Sequence, residues 1–111
     1  MELGSFDETV NVGVASLVGP DGPPLTATEG VTGHLAGGSG AVEAVIAVRS
    51  AATGLVPPVA NHERTDPAVL ESGIHVVAGT PLDVSPGPVV STSFAFGGHN
   101  TALVFGPPPR T

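Results

Sequence analysis

His34 is the residue of this chain best placed to do chemistry. It lies within residues 32–44, TGHLAGGSGAVEA, flanked by Gly33, Gly37, Gly38 and Gly40 and followed by a strongly apolar segment. Glycines let a backbone close around a ligand, and a helix opening just downstream would turn its free N–H groups and positive end toward an anion. An imidazole in that setting can donate to developing negative charge. The competing reading is a buried histidine hydrogen-bonded to backbone. His99, in GGHN, is the second candidate and reads either as a catalytic base or as a turn residue bonded to its own backbone. His62 and His75 fall in a polar connector and a short apolar run, where a solvated or structural role is expected. No His-x-x-x-His or comparable spacing occurs, so no zinc site is expected. The chain has no cysteine, hence no thiolate nucleophile, thiolate metal site or disulfide of its own. Residues 79–83, GTPLD, have the look of a catalytic loop but read as a proline-anchored turn between two short strands.

These residues must be held by the segments around them. At residues 10–18 the alternation of Val10, Val12 and Val14 predicts a strand, ended by GPDGPP at 19–24. Residues 25–28 read as a short strand feeding the histidine loop. Residues 39–53, SGAVEAVIAVRSAAT, have helix length, with Gly54 as the stop and Pro57-Pro58 beyond it. Only Glu43, Arg49 and Ser50 interrupt their apolar surface, which predicts a helix buried on most sides. Residues 61–67 form a polar connector, 74–78 a short strand, and 81–88 an irregular proline-rich stretch. Two apolar runs, 89–96 and 101–105, joined by the four residues GGHN, predict a β-hairpin over 89–105. Residues 107–111 read as a frayed tail. There is no internal repeat.

Composition narrows the function classes. At 111 residues the chain makes one domain at most, able to bury about 65% of its unfolded surface. Four aromatic residues leave the core to Val, Ala, Leu and Ile, which suits sheet packed on helix. Ten acidic residues against three arginines and no lysine give a formal charge of −7, so no cationic cluster exists to neutralise a phosphate backbone, and a nucleic-acid partner is excluded. The acidic start, with Glu2, Asp7 and Glu8, lacks the pattern of a secretion signal, and no run reaches the roughly 20 apolar residues of a membrane span. A cytoplasmic protein is expected.

Four motifs in order over residues 26–105 resemble the C-terminal end of a β-ketoacyl-acyl-carrier-protein synthase, a ketosynthase of the thiolase-like superfamily. TGHLAGGSGAVEA resembles that family's TGH loop and following helix, and Val56-Pro57-Pro58 its helix exit. Asn61, Glu63, Asp66 and Pro67 resemble its N-x-E-x-x-D-P connector, and SFAFGGHN at 93–100 its terminal SFGFGGHN hairpin. Residues 1–25 match much less well and read as an extension, with 26–106 as a partial ketosynthase C-terminal domain. The fold class implied is α/β, the C-terminal portion of a thiolase-like layered fold: a few strands, one buried central helix at about 39–53 and a terminal hairpin at about 89–105.

The resemblance implies a decarboxylative condensation in fatty-acid or polyketide synthesis, in which an acyl group on a cysteine is extended by a carbanion from malonyl-acyl-carrier protein. His34 then stabilises the enolate, while Phe96 gates the acyl channel and lends a backbone N–H to the oxyanion hole. No cofactor and no metal are expected. The expected partners are acyl-carrier protein with its acyl thioester and either the cysteine-bearing N-terminal portion of a ketosynthase or an intact ketosynthase subunit, in a dimer. A non-catalytic partner subunit or truncated remnant is the alternative. The chain departs from the family at Glu29, where a lysine usually stands five residues before the histidine, and at Thr92, in place of asparagine. The family's nucleophilic cysteine and second catalytic histidine lie upstream of the matching portion. Alone, the helix is expected to expose a broad apolar face.

Overall fold

A computed structural model describes residues 13, 14 and 16–109. Its ordered elements are α1 (Glu29–Thr32), a 3-10 turn (Ala36–Gly38), α2 (Ser39–Thr53), β1 (Leu55–Val56), α3 (Pro67–Glu71), β2 (Leu82–Asp83), β3 (Val89–Ala95) and β4 (His99–Phe105). The architecture is mixed α/β, with α2 packed on the β3–β4 hairpin.

The bounds of α2 coincide with those expected from sequence. Its alanines favour the helix, whereas its β-branched valines stiffen it at some cost in propensity. Its termination is sharply defined. Gly54 adopts φ 76°, and its N–H donates to the Ser50 carbonyl at 2.8 Å, the left-handed C-terminal closure that glycine adopts without steric penalty. Its own carbonyl accepts from the Val84 N–H at 2.8 Å, beside the pairing of β1 with β2. A side chain at residue 54 would overlap the Val84 carbonyl, so the conformation and the close approach both require glycine.

The hairpin pairs antiparallel from Val89↔Phe105 to Ala95↔His99. Its loop is therefore Phe96-Gly97-Gly98, one residue shorter than GGHN predicted, and His99 belongs to β4. Gly97 and Gly98 both take positive φ, 83° and 77°, which explains why two glycines can close so tight a turn. Val89 and Ser91 are half-buried while Val90 and Thr92 are exposed, so alternate residues of β3 face α2. An added Cβ at Gly40, in the first turn of α2, would meet Ser93 Oγ at 3.8 Å.

The helix is not buried on most sides. Ala47, Ser50 and Ala51 are its buried residues, an i, i+3, i+4 stripe. Val42, Val45 and Val48 are exposed. The hairpin covers one stripe only, and the expected bare apolar face lies opposite it.

A second cluster centres on Val69 and Ile74, with Val14, Leu25 and Val76 packed against it. The strand expected at 10–18 is corrected here: residues 13, 14 and 16–18 are helical, and the rest of that segment lies outside the described residues. Val14, Leu17 and Val18 also fit helical spacing, and the helical turn brings Val14 onto the cluster. Neither 25–28 nor 74–78 forms a strand. Single parallel bridges, Leu25↔Val76 and Val59↔Ala78, replace them, and residue 28 already ends as the N-cap of α1. Helix α3 falls at the end of the polar connector, where Asp66 Oδ1 accepts from the Ala68 N–H at 2.8 Å and Pro67 occupies the first turn. Both residue types are helix-start signals. Residues 79–80 form a bend, with the Thr80 N–H donating to the Ala78 carbonyl at 3.0 Å, and Leu82–Asp83 of the same stretch are β2.

Candidate functional site

The His34 loop is shaped by short-range bonds. The Gly33 N–H closes α1 by donating to the Glu29 carbonyl at 2.8 Å, and Gly33 itself takes φ 69°. Thr32 Oγ1 donates to the Gly33 carbonyl at 3.1 Å. Beyond the histidine, the Leu35 N–H donates to Ser39 Oγ at 3.0 Å, and Ala36 sits at φ 50°, an uncommon conformation for a residue with a side chain. The 3-10 turn then leads into α2, whose N-cap is Gly38 with no side-chain cap. The first N–H groups of α2 are therefore not occupied by a capping side chain, as an anion-accepting helix start requires.

His34 is not the buried, backbone-bonded histidine of the competing reading. Its side chain is 80% exposed, and Nδ1 lies 3.9 Å from Glu29 Oε1. The two residues singled out by sequence, the histidine and the acid five positions before it, are thus side by side. The pair puts a carboxylate where a cation would assist an anion.

Phe96, at the hairpin tip, is 96% exposed. Since Gly40 approaches Ser93, three residues before Phe96, the histidine loop and the hairpin tip lie toward the same end of the α2–hairpin layer. His99, exposed in β4, sits beside the glycine loop. His62 is half-buried, its Nε2 2.8 Å from Thr65 Oγ1. His75 is exposed and contributes its carbonyl, which accepts from the Leu25 N–H at 2.8 Å. Neither joins the His34 loop. Among the described residues no three of His, Asp and Glu gather as a metal site.

Sequence reading missed what holds the loop in place. Asn61, itself at φ 59°, donates through Nδ2 to the Gly30 carbonyl at 3.1 Å. A Cβ at Gly30 would come within 2.5 Å of the Ala60 carbonyl. The connector and α1 are thus in close backbone contact. Thr26 Oγ1 adds a bond of 2.6 Å to the Pro57 carbonyl. Asparagine's tolerance of positive φ is the available signal at position 61; its partner across 31 residues leaves no local trace.

No helix among the described residues is long and apolar enough to cross a membrane. No protein-family model matches the chain. Individual proteins do. It is 42% identical over 81 residues to the 3-oxoacyl-(acyl-carrier-protein) synthase 2 of Synechocystis sp., covering 73% of this chain and 19% of that protein. Against the enzyme of the same name from Mycobacterium tuberculosis it is 34% identical over 93 residues, 84% of this chain and 22% of the relative. The chloroplastic 3-oxoacyl-(acyl-carrier-protein) synthase II of Arabidopsis thaliana is 39% identical over 83 residues, 75% of this chain and 15% of its own length. The resemblance read from the glycine loop, connector and hairpin is thus a homology, running through most of the chain, to part of the 3-oxoacyl-(acyl-carrier-protein) synthases, and the chain spans about a fifth of the length of the curated relatives it matches.

Proposed function

We propose that this chain is a ketosynthase-related component of fatty-acid or polyketide synthesis that contributes His34 and Phe96 to an active site completed by residues outside these 111. The nucleophilic cysteine of that site comes from a ketosynthase portion that docks on the α2–hairpin layer. In the condensation, the bond between the malonyl methylene and its carboxylate breaks, carbon dioxide leaves, and the electron pair moves into a thioester enolate. That enolate attacks the acyl carbonyl on the cysteine and expels the thiolate. His34 donates a hydrogen bond to the enolate oxygen, and Phe96 closes the acyl channel on a loop that its glycines allow to move.

The observation that supports this reading is the exposure of both side chains, 80% and 96%, on the two loops that flank the approach of Gly40 to Ser93, in a layer whose outer helix face is bare and apolar. A site of this kind needs a second wall before it can exclude water. Mixing the chain with the cysteine-bearing portion of a homologous synthase tests the proposal, with condensation of acyl thioester and malonyl-acyl-carrier protein as the readout. Activity is expected only in the mixture, and His34→Ala is expected to lower it by roughly 10²–10³-fold. A mixture equally active with His34→Ala removes the catalytic role.

Glu29 beside His34 favours a second reading, a non-catalytic subunit that pairs with an intact ketosynthase. Stable co-purification with such an enzyme, without any effect of His34→Ala on its rate, would select it.

A further inference from the structure

We infer that Glu29 sets the charge preference of the His34 loop, disfavouring a carboxylated extender such as a malonyl group relative to an uncharged acyl thioester. This rests on the placement of His34 at the reacting carbons proposed above. Glu29 is the first residue of α1, its carbonyl fixed by the Gly33 N–H at 2.8 Å, and its carboxylate reaches to 3.9 Å from His34 Nδ1. Among the described residues no arginine side chain comes within ion-pair distance of it, so its charge is not locally neutralised. A group accepting a hydrogen bond from the His34 ring would therefore lie within several ångströms of a negative charge.

A malonyl thioester carries one negative charge on its carboxylate. Breaking the C–C bond releases neutral carbon dioxide and leaves that charge on the enolate, so Glu29 opposes both substrate and intermediate. An uncharged acyl thioester brings no such charge. At about 5 Å and water-like screening the repulsion corresponds to roughly a four-fold effect, and at an effective dielectric of about 20 to a hundred-fold or more. The side chains are 80% and 53% exposed in this chain, which sets the smaller figure here, and closure by a partner would move the site toward the larger.

The test uses the reconstituted complex with Glu29→Gln, Glu29→Lys and Glu29→Asp, reading two half-reactions: carbon dioxide release from malonyl-acyl-carrier protein and acyl transfer onto the cysteine. Glu29→Gln should raise carbon dioxide release by at least about four-fold, Glu29→Lys should raise it further, and Glu29→Asp should keep it low. Acyl transfer, which brings no carboxylate to the loop, should rise less than carbon dioxide release in Glu29→Gln and Glu29→Lys. Decarboxylation that falls with His34→Ala but does not rise with Glu29→Gln overturns the role of Glu29 and leaves that of His34 standing. Indifference to His34→Ala would remove the underlying reading instead. The full chain alone gives a second measurement, a titration with free malonate followed by NMR of the His34 ring. Free malonate carries two carboxylates, so Glu29→Gln should bind it at least about four-fold more tightly, and equal affinity overturns the inference.

Discussion

Around Val69 and Ile74 the apolar side chains turn inward and are covered, whereas along α2 and the hairpin many turn outward and are bare. Val69, Ile74 and Val77 are buried, and three further apolar residues close over the first two. On α2 the buried stripe is Ala47, Ser50 and Ala51, while Val45 is 64% exposed and Val104, on β4, 69%. A domain that folds for its own sake places its larger apolar groups inside. Here the small residues of the helix go inside and the larger ones outside, which leaves the outer face of α2 apolar and bare. The exposed His34 and Phe96 belong to this second region.

The contrast breaks first at the junction that ends α2. Gly54 ends α2, takes positive φ, and brings its backbone against Val84. Gly54→Val must distort the helix end and push β2 away, and a loss of about 3 kcal/mol or more is expected. For a small domain that is a large share of total stability, so circular dichroism during a urea titration should show little or no cooperative transition. A variant that unfolds with the parent's midpoint would mean that the junction is not a fixed point. Within the covered cluster, Ile74→Ala removes a buried side chain, at an expected cost of about 2–3 kcal/mol. The same titration should show its midpoint shifted clearly downward.

The sequence was most legible where local patterning decides structure. The bounds of α2 follow from a run of helix formers ended by Gly54, and the hairpin from two alternating segments around paired glycines. It was less legible where distant contacts decide. Val14 fits a strand alternation and a helical spacing equally well, and the cluster at Val69 and Ile74 selects the helix. Segment 74–78 is met at single points by two partners far apart in sequence, Leu25 at Val76 and Val59 at Ala78, pairings that no local pattern announces. Helix α3 was readable from Asp66-Pro67 but is easily overlooked in a polar connector of five residues' helical extent. Of the candidate site, the proximity of Glu29 and His34 follows from their spacing across one short helix. The exposure of both His34 and Phe96 does not, because burial depends on what covers a residue and sequence spacing carries no record of that.

The smallest expected change in stability gives the sharpest view of the bare face. Val45 lies four residues ahead of Arg49, and both border a shallow apolar depression on the outer side of α2. Val45→Glu replaces a β-branched residue by a better helix former and sets a carboxylate one turn before a guanidinium, each worth a few tenths of a kcal/mol at an exposed position. If nothing in the isolated chain covers this face, the variant should unfold at a midpoint equal to or above the parent's, its unfolding free energy unchanged or raised by about 0.3–0.7 kcal/mol. The same substitution places a charge in the contact that the proposed partner must make, where burying it unpaired is costly. Association with the cysteine-bearing portion should therefore weaken at least ten-fold, about 1.4 kcal/mol, while the chain itself stays as stable as before. A marked loss of stability in the isolated chain would show that Val45 is already covered, and the division between an inward cluster and an outward layer would have to be redrawn.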